Sequence, residues 1–310
     1  MPNIEQVSRE ELKRTLPLLL ATPGGRAASR TAVQAFQDYV HDPRIRWEAW
    51  RIGSVDRAVA LVLALLLPGS TAIVLIPVPG ELGIRAVEQQ ELLRTTLALL
   101  GQRGLYFAQA LILPKAHAQK NLLESAGFRL LAPLTYLERD VRYPWVDPPQ
   151  VEESAWLTFG RQTYDEFAAL LLETYKESQD CPELTRLRPI DAVIAGHQAA
   201  GEFDPALWEI LRVDGVSAGC ILLAPLRDGR TVELAYMGVA PAFRRRGLAT
   251  VLLRRALAQC RRRGARRLTL AVDERNEPAK RVYQRNGFQV TTQRDAYLFP
   301  FQSPGGSQAG

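Results

Sequence analysis

The sequence predicts an α/β (α+β) fold of two tandem domains, each a mixed, mostly antiparallel sheet flanked by helices. Three observations carry this. The chain has 310 residues, 47% of them hydrophobic and 23% charged, about twice the length of a common domain and apolar enough for two cores. Its halves repeat: Gly104, Gly127 and Phe128 recur as Gly264, Gly287 and Phe288, each 160 positions later, and Trp47-Glu48-Ala49-Trp50-Arg51 is echoed by Trp208-Glu209-Ile210-Leu211-Arg212 after a one-residue slip. A fixed period of this kind marks a duplicated unit. In the second half, Asp214-Gly215 and Asp228-Gly229 separate apolar runs as hairpin turns do, the pattern of an antiparallel meander.

In the first half, an apolar run over 58–67 ends at Pro68-Gly69, a helix is expected over 84–100, a strand over 105–113, and a helical stretch closes at Gly127-Phe128. The prolines Pro144, Pro148 and Pro149 cannot continue a helix or a central strand and mark 144–150 as a linker. In the second half, 155–159 reads as a strand and 164–175 as a helix with Phe167, Leu170 and Leu171 on one side. Strands over 207–213, 216–223 and 231–239 form the meander. Pro241 breaks the last of them, and a helix over 247–263 turns Leu248, Leu252, Ala256 and Cys260 to one face. A strand over 268–272 and a short helix follow. The expected division is 1–143 and 151–301 as domains, with a disordered tail at 302–310.

Composition narrows the function. Lys plus Arg exceed Asp plus Glu by six, with a pI near 9.4, so an anionic ligand is allowed but not demanded. Cys181, Cys220 and Cys260 are scattered and form no CxxC pair, and His41, His117 and His197 lack metal-ligand spacing, so neither a disulfide framework nor a metal site is expected. No apolar run approaches the roughly 20 residues of a membrane span. The start Met1-Pro2-Asn3-Ile4-Glu5 lacks a basic, apolar signal, so a cytoplasmic protein is expected.

The most informative stretch runs from Met237, Gly238 and Val239 through Ala240-Pro241-Ala242-Phe243 to Arg244, Arg245, Arg246, Gly247, Leu248 and Ala249. Strand, loop and helix start in direct succession make an anion cradle, because the free N–H groups of a first helical turn point outward and the helix dipole favours negative charge. At these residues the sequence resembles the GCN5-related N-acetyltransferase (GNAT) family, whose signature Arg/Gln-x-x-Gly-x-Gly/Ala stands here as Arg244 to Ala249. The resemblance continues through Asn276-Glu277-Pro278-Ala279, Tyr283 and Asn286-Gly287-Phe288 and covers 155–299.

The resemblance implies acetyl-CoA as co-substrate. Backbone amides of Arg244 to Ala249 hold its pyrophosphate, and the strand edge at Met237, Gly238 and Val239 receives its pantetheine arm like an added strand. Asn276 contacts that arm or caps a helix, and both roles can hold. Tyr283 protonates the departing thiolate or packs on an amphipathic helix, and Glu233 removes the acceptor's proton or faces outward from its strand. The implied function is an N-acetyltransferase moving an acetyl group to an amine by direct attack in a ternary complex. The alternatives are a non-catalytic acyl-CoA-binding regulatory module and an arginine-rich nucleic-acid binder. Ten arginines and no acidic residue lie between Arg244 and Arg267, but no aromatic residues interleave with them for base stacking, so no nucleic-acid partner is expected.

Moved back by 160 positions, the motif is lost: Val87 stands for Gly247, Leu123 for Tyr283, Ala116 for Asn276 and Ile73 for Glu233. The first half therefore reads as a degenerate copy that shapes the acceptor site, with a vestigial CoA site left open. An eroded first copy before an intact second one is a layout similar to that of the mycothiol synthases. The acceptor is expected around 180–188 and 289–296, whose mixed charge leaves a small amine and a peptide amine both open. Nothing in the sequence sets the oligomeric state.

Overall fold

The computed structural model describes residues 3–24, 26, 28–144, 151–184 and 186–301. These fall into two compact units, one running to Ala132 and taking in the described residues from Arg294 onward, the other spanning Pro133–Gln293.

The first unit comprises β1 (Ile4–Gln6), α1 (Arg9–Leu19), α2 (Arg30–His41), β2 (Arg46–Ser54), β3 (Arg57–Leu67), β4 (Thr71–Leu75), α3 (Ala86–Gly101), β5 (Phe107–Ile112), α4 (His117–Ser125) and the start of β6 (Arg129–Asp140). Its sheet runs β1-β2-β3-β4-β5 and is antiparallel except where β4 pairs β5. A capping box starts α1: Ser8 Oγ accepts the Glu11 N–H, and the Glu11 carboxylate accepts the Ser8 N–H at 2.8 Å. One face of the sheet buries Val62, Ala64 and Ala108 with Leu92, Leu93 and Leu123 of α3 and α4, and the other buries Leu61 and Leu63 with Leu12 and Leu16 of α1.

The second unit comprises β7 (Ser154–Thr158), α5 (Tyr164–Tyr175), α6 (Ile190–Gln198), β8 (Trp208–Val213), β9 (Val216–Pro225), β10 (Thr231–Val239), α7 (Leu248–Arg262), β11 (Arg267–Asp273), α8 (Glu277–Arg285) and the start of β12 (Gln289–Pro300). Its sheet runs β6-β11-β10-β9-β8-β7, antiparallel except for β10 with β11. The apolar stripe of α7, with Leu252, Leu253, Ala256 and Cys260 fully buried, packs on Leu268, Leu270 and Val272. Phe167 and Leu171 of α5 pack on Trp208, Ile210 and Leu222 across the opposite face. In the connection from α5 to β8 the structure adds α6, an element the hydrophobic pattern did not mark.

The units do not part at the expected 143/151 division. Strand β6, from the first half of the sequence, lies in the second unit from Pro133 on, pairing β11 as Leu137 with Leu270. Strand β12, from the second half, enters the first unit, pairing β5 as Leu298 with Gln109. A sequence repeat records which segments are homologous, but the open edge of β5 or β11 accepts a last strand from either half. The expected linker residues 145–150 and the tail 302–310 lie outside the described residues.

One feature of the second sheet positions a site. Parallel pairing of β10 with β11 is confined to Thr231–Glu233 against Arg267–Thr269. Beyond it β10 stays on β9 through an irregularity between Leu234 and Tyr236, while β11 stays on β6 to Asp273. The two strands therefore splay. Strands β4 and β5 part after the same register 160 positions earlier, Thr71–Ile73 against Phe107–Gln109. Among the described residues no helix is long and apolar enough to cross a membrane.

Candidate active site

The splay between β10 and β11 opens into a cleft of about 530 Å³. Met237, Gly238, Val239, Arg244, Arg245, Gly247, Leu248, Ala249, Asn276 and Tyr283 all line it, so ten of the residues expected from the sequence meet at one place. Arg246 and Glu233 are not on its wall.

At one end is the cradle. Arg245 (φ 63°) and Gly247 (φ 80°) are both left-handed, and such turns curl successive N–H groups inward as an anion-binding nest. The N–H groups of Arg245, Arg246, Gly247, Leu248 and Ala249 find no acceptor among the described residues. Gly247 caps α7 without a side-chain hydrogen bond, and a Cβ built there would meet nothing within 4 Å. The position therefore demands glycine for its φ, and the space before it is open to a ligand.

The three arginines divide their work. Arg244 spends its guanidinium on the protein, donating from Nε to the Val239 carbonyl at 3.1 Å and from Nη2 to the carbonyls of Thr174 (3.1 Å) and Lys176 (2.6 Å). It ties the last carbonyls of α5 to the cradle loop, where a cation satisfies otherwise unpaired acceptors. Arg246 lies over the Phe243 ring at 5.3 Å and lines a neighbouring cavity of about 300 Å³. Arg245 alone of the three carries its side chain as an exposed residue on the cleft wall.

On the wall, a Cβ at Gly238 would come within 2.7 Å of the Tyr236 hydroxyl and of Thr174 Cβ, so close approach requires glycine there. The Tyr236 hydroxyl and Thr174 Oγ1 are 2.8 Å apart, and Thr174 Oγ1 donates to the Leu171 carbonyl. Tyr175 and His197 pack against the Tyr236 ring. Burial pushes His197 down to about 4, with Arg188 adding to the effect, so its imidazole is neutral at physiological pH.

Tyr283 is buried on α8 beside Phe288, ring centroids 5.7 Å apart. Its hydroxyl makes no hydrogen bond among the described residues. Burial, and then the charge of Asp180, raise its pKa, so the phenol keeps its proton at neutral pH. Asn276 caps α8, its Oδ1 accepting the Ala279 N–H at 3.2 Å, while the residue also lines the cleft. Glu233 is the last residue of the short parallel register, beside Thr269, and burial raises its pKa.

Asp180, the first residue of the expected acceptor segment 180–188, also lines the cleft. Its Oδ1 accepts the Asp273 N–H at 2.9 Å, and Asp273 Oδ2 accepts the Cys181 N–H at 3.2 Å. This lock spans 93 positions of sequence, which is why no local pattern announced it. Cys181 is pushed far up by burial and the adjacent Asp180, so it does not present a thiolate. Among the described residues no group of three or more His, Cys, Asp and Glu could hold a metal ion.

The first unit has the same splay but fills it. Gln119 Nε2 donates to the Ile76 carbonyl at 2.8 Å, on the stretch that corresponds to Tyr236. The following loop spends its amides internally, Glu81 to the Val78 carbonyl, Gly80 to that of Ile84 and Ile84 to that of Glu81. The Glu81 carboxylate accepts the Gly24 N–H at 2.9 Å, so an acid and not a cation occupies the loop.

A splayed sheet with an amide cradle at a helix start is an architecture that can be compared with known proteins. Residues 165–288 match the family model of the acetyltransferase (GNAT) family. Over 96% of both chains the fold is that of a GCN5-related N-acetyltransferase from Sphaerobacter thermophilus, at a TM-score of 0.67 and 17% identity. A tandem GNAT protein from the clavulanic acid biosynthesis pathway superposes at 0.57 and 17% identity, covering 97% of this chain and 99% of its own. The mycothiol acetyltransferase of Thermobifida fusca (strain YX) is 31% identical over 144 residues, 45% of this chain and 41% of that enzyme. The chain thus spans about two-fifths of that relative's length.

Proposed function

We propose that the protein is an N-acetyltransferase that moves an acetyl group from acetyl-CoA to a primary amine by direct attack in a ternary complex. The observation that carries this is a run of five N–H groups, Arg245 to Ala249, without an acceptor among the described residues, four of them on residues that line the same cleft as Tyr283. The cradle would hold the pyrophosphate with backbone donors and the start of α7. The edge of β10 that leaves β11 would take the pantetheine amides as a strand takes a partner. Tyr283, protonated and unengaged, would give its proton to the departing thiolate. The filled splay of the first unit supports a single donor site, in the second. The likeness to a mycothiol acetyltransferase supports a small-molecule amine as acceptor over a peptide.

The arginine run gives nucleic acid little purchase. Arg255 is held bidentately by Glu209 at 2.8 and 2.5 Å, Arg263 by Asp204 at 2.6 Å, and Arg244 by backbone carbonyls.

Binding of the donor is tested by the thermal midpoint with and without acetyl-CoA. A ligand that binds only the native state at a hundredfold excess over Kd stabilises by about 2.7 kcal/mol, so a clear rise is expected. Gly247→Glu should abolish it, since a carboxylate would then sit in the cradle, while the midpoint of the free protein falls only by the roughly 1–2 kcal/mol cost of a left-handed residue with a side chain. Release of CoA with glucosamine, spermidine and a peptide with a free N-terminus then tests transfer. No rise in midpoint and no CoA release would overturn the reading.

A further inference from the structure

The transfer needs a group that takes a proton as well as one that gives it, because an amine reaches a neutral-pH enzyme as an ammonium. The loop after α5 reaches the cleft through two non-glycine residues held left-handed, Glu177 (φ 53°) and Cys181 (φ 45°). Such a backbone persists only where its surroundings fix it. Here the bonds of Asp180 Oδ1 with the Asp273 N–H and of Asp273 Oδ2 with the Cys181 N–H fix Cys181, and Arg244 donates to the Glu177 carbonyl.

The two carboxylates of this lock differ in what remains to them. Asp273 is fully buried and its charge is answered by Arg275 at 2.7 Å. Asp180 has no salt-bridge partner, and its Oδ2 accepts no hydrogen bond among the described residues. It faces Asp273 and Arg275 from the end of β11, Cys181 from its own loop, Tyr175 from α5, Tyr236 from β10 and Tyr283 from α8. Asp180 and Tyr283 share the wall of one cleft, and the charge of Asp180 is felt at the Tyr283 hydroxyl. Glu233, at the closed end of the splay, is off that wall.

We infer that Asp180 is the general base of the transfer, taking the proton of the acceptor ammonium through its unoccupied oxygen. The assignment rests on the acetyltransferase reading above. The step balances: Asp180 receives a proton and leaves a neutral amine, whose nitrogen forms the C–N bond to the acetyl carbon as the C–S bond breaks. Tyr283 protonates the sulfur and recovers a proton from the new amide nitrogen, and Asp180 returns its own to solvent. Asp180 is itself exposed on the cleft wall, so its second oxygen is open to an acceptor in the cleft, the geometry a proton transfer requires.

The test compares Asp180→Asn with Glu233→Gln on whichever of glucosamine, spermidine and the free peptide the wild type acetylates, with kcat and KM measured from pH 5.5 to 9. Asparagine can keep the bond from the Asp273 N–H, so acetyl-CoA should raise the thermal midpoint as in the wild type. Asp180→Asn is expected to lower kcat by about 10²–10³-fold and to remove the acid limb of the profile, with the KM for acetyl-CoA unchanged. Glu233→Gln is expected to keep that limb and lose less than about tenfold. An Asp180→Asn enzyme that retains kcat and the limb, or a limb lost in Glu233→Gln instead, overturns the assignment. Failure of the underlying reading shows differently, as a wild type that acetylates none of the amines.

Discussion

Phenylalanine in place of Tyr283 is expected to lower kcat by about 10²–10³-fold at pH 7 while leaving the stabilisation by acetyl-CoA intact. The substitution removes one oxygen. The ring, buried against Phe288, keeps its packing, and no hydrogen bond among the described residues is lost with the hydroxyl. The size of the defect should depend on pH in a definite direction. A thiol has an ordinary pKa near ~8.5, so below that value a thiolate leaves more readily with a proton supplied, and above it departs unaided. The ratio of wild-type to variant kcat is therefore largest in the acid range and narrows as pH rises past about 9. Because burial holds the Tyr283 pKa well above its ordinary value, the wild type keeps its acid across this window. Equal kcat at every pH would remove Tyr283 from the chemistry and favour a protein that binds the donor without turning it over.

Gly247 and the cradle were legible in the sequence because a glycine between arginines and an apolar helix has few other uses, and the structure gives that glycine its positive φ. The repeat was legible to the residue: the register at which β4 leaves β5 recurs 160 positions later where β10 leaves β11. What the arginines do was not legible. Arg244 reaches carbonyls of Thr174 and Lys176 about 70 positions away, and side-chain direction of that kind is set by tertiary packing. Asp180 falls in the acceptor segment the sequence marked, but its bond to Asp273 was hidden for the same reason, since Asp273 lies 93 positions away on β11. The exchange of last strands was invisible because β6 and β12 carry the same alternation whichever edge they join. One lost signal could have been read. Ala279 lines the cleft of the second unit, and the residue 160 positions earlier is Gln119, which fills the splay of the first.

The exchange of strands makes a strong prediction about where the chain can be cut. A fragment of 151–301, the domain the sequence outlines, lacks β6, whose residues Leu134 to Asp140 pair β11 over its whole length. Without it Leu137 and Val141, 2% and 1% exposed, leave the core packed around Leu268 and Leu270. Burying two such side chains contributes about 3–6 kcal/mol, a large part of the 5–15 kcal/mol that holds a domain together. The hydrogen bonds from Arg139 to the carbonyl of Asn286 and from Thr135 to Glu274 disappear as well. The edge of β11 is left unpaired, a template for aggregation, and the end of β12, where Tyr297 and Leu298 are buried, loses β5. The 151–301 fragment is therefore expected to be insoluble or unfolded by circular dichroism. A fragment of 133–293, which keeps β6 and ends before β12 leaves the second unit, is expected to be soluble and to melt at a higher temperature with acetyl-CoA than without. A soluble, cooperatively melting 151–301 fragment would mean that the second unit does not depend on β6. The same pair of fragments separates the sequence repeat from the folding unit: the half of the sequence that carries the motif is one segment, and the unit that folds around it is another, built with a strand from the first half.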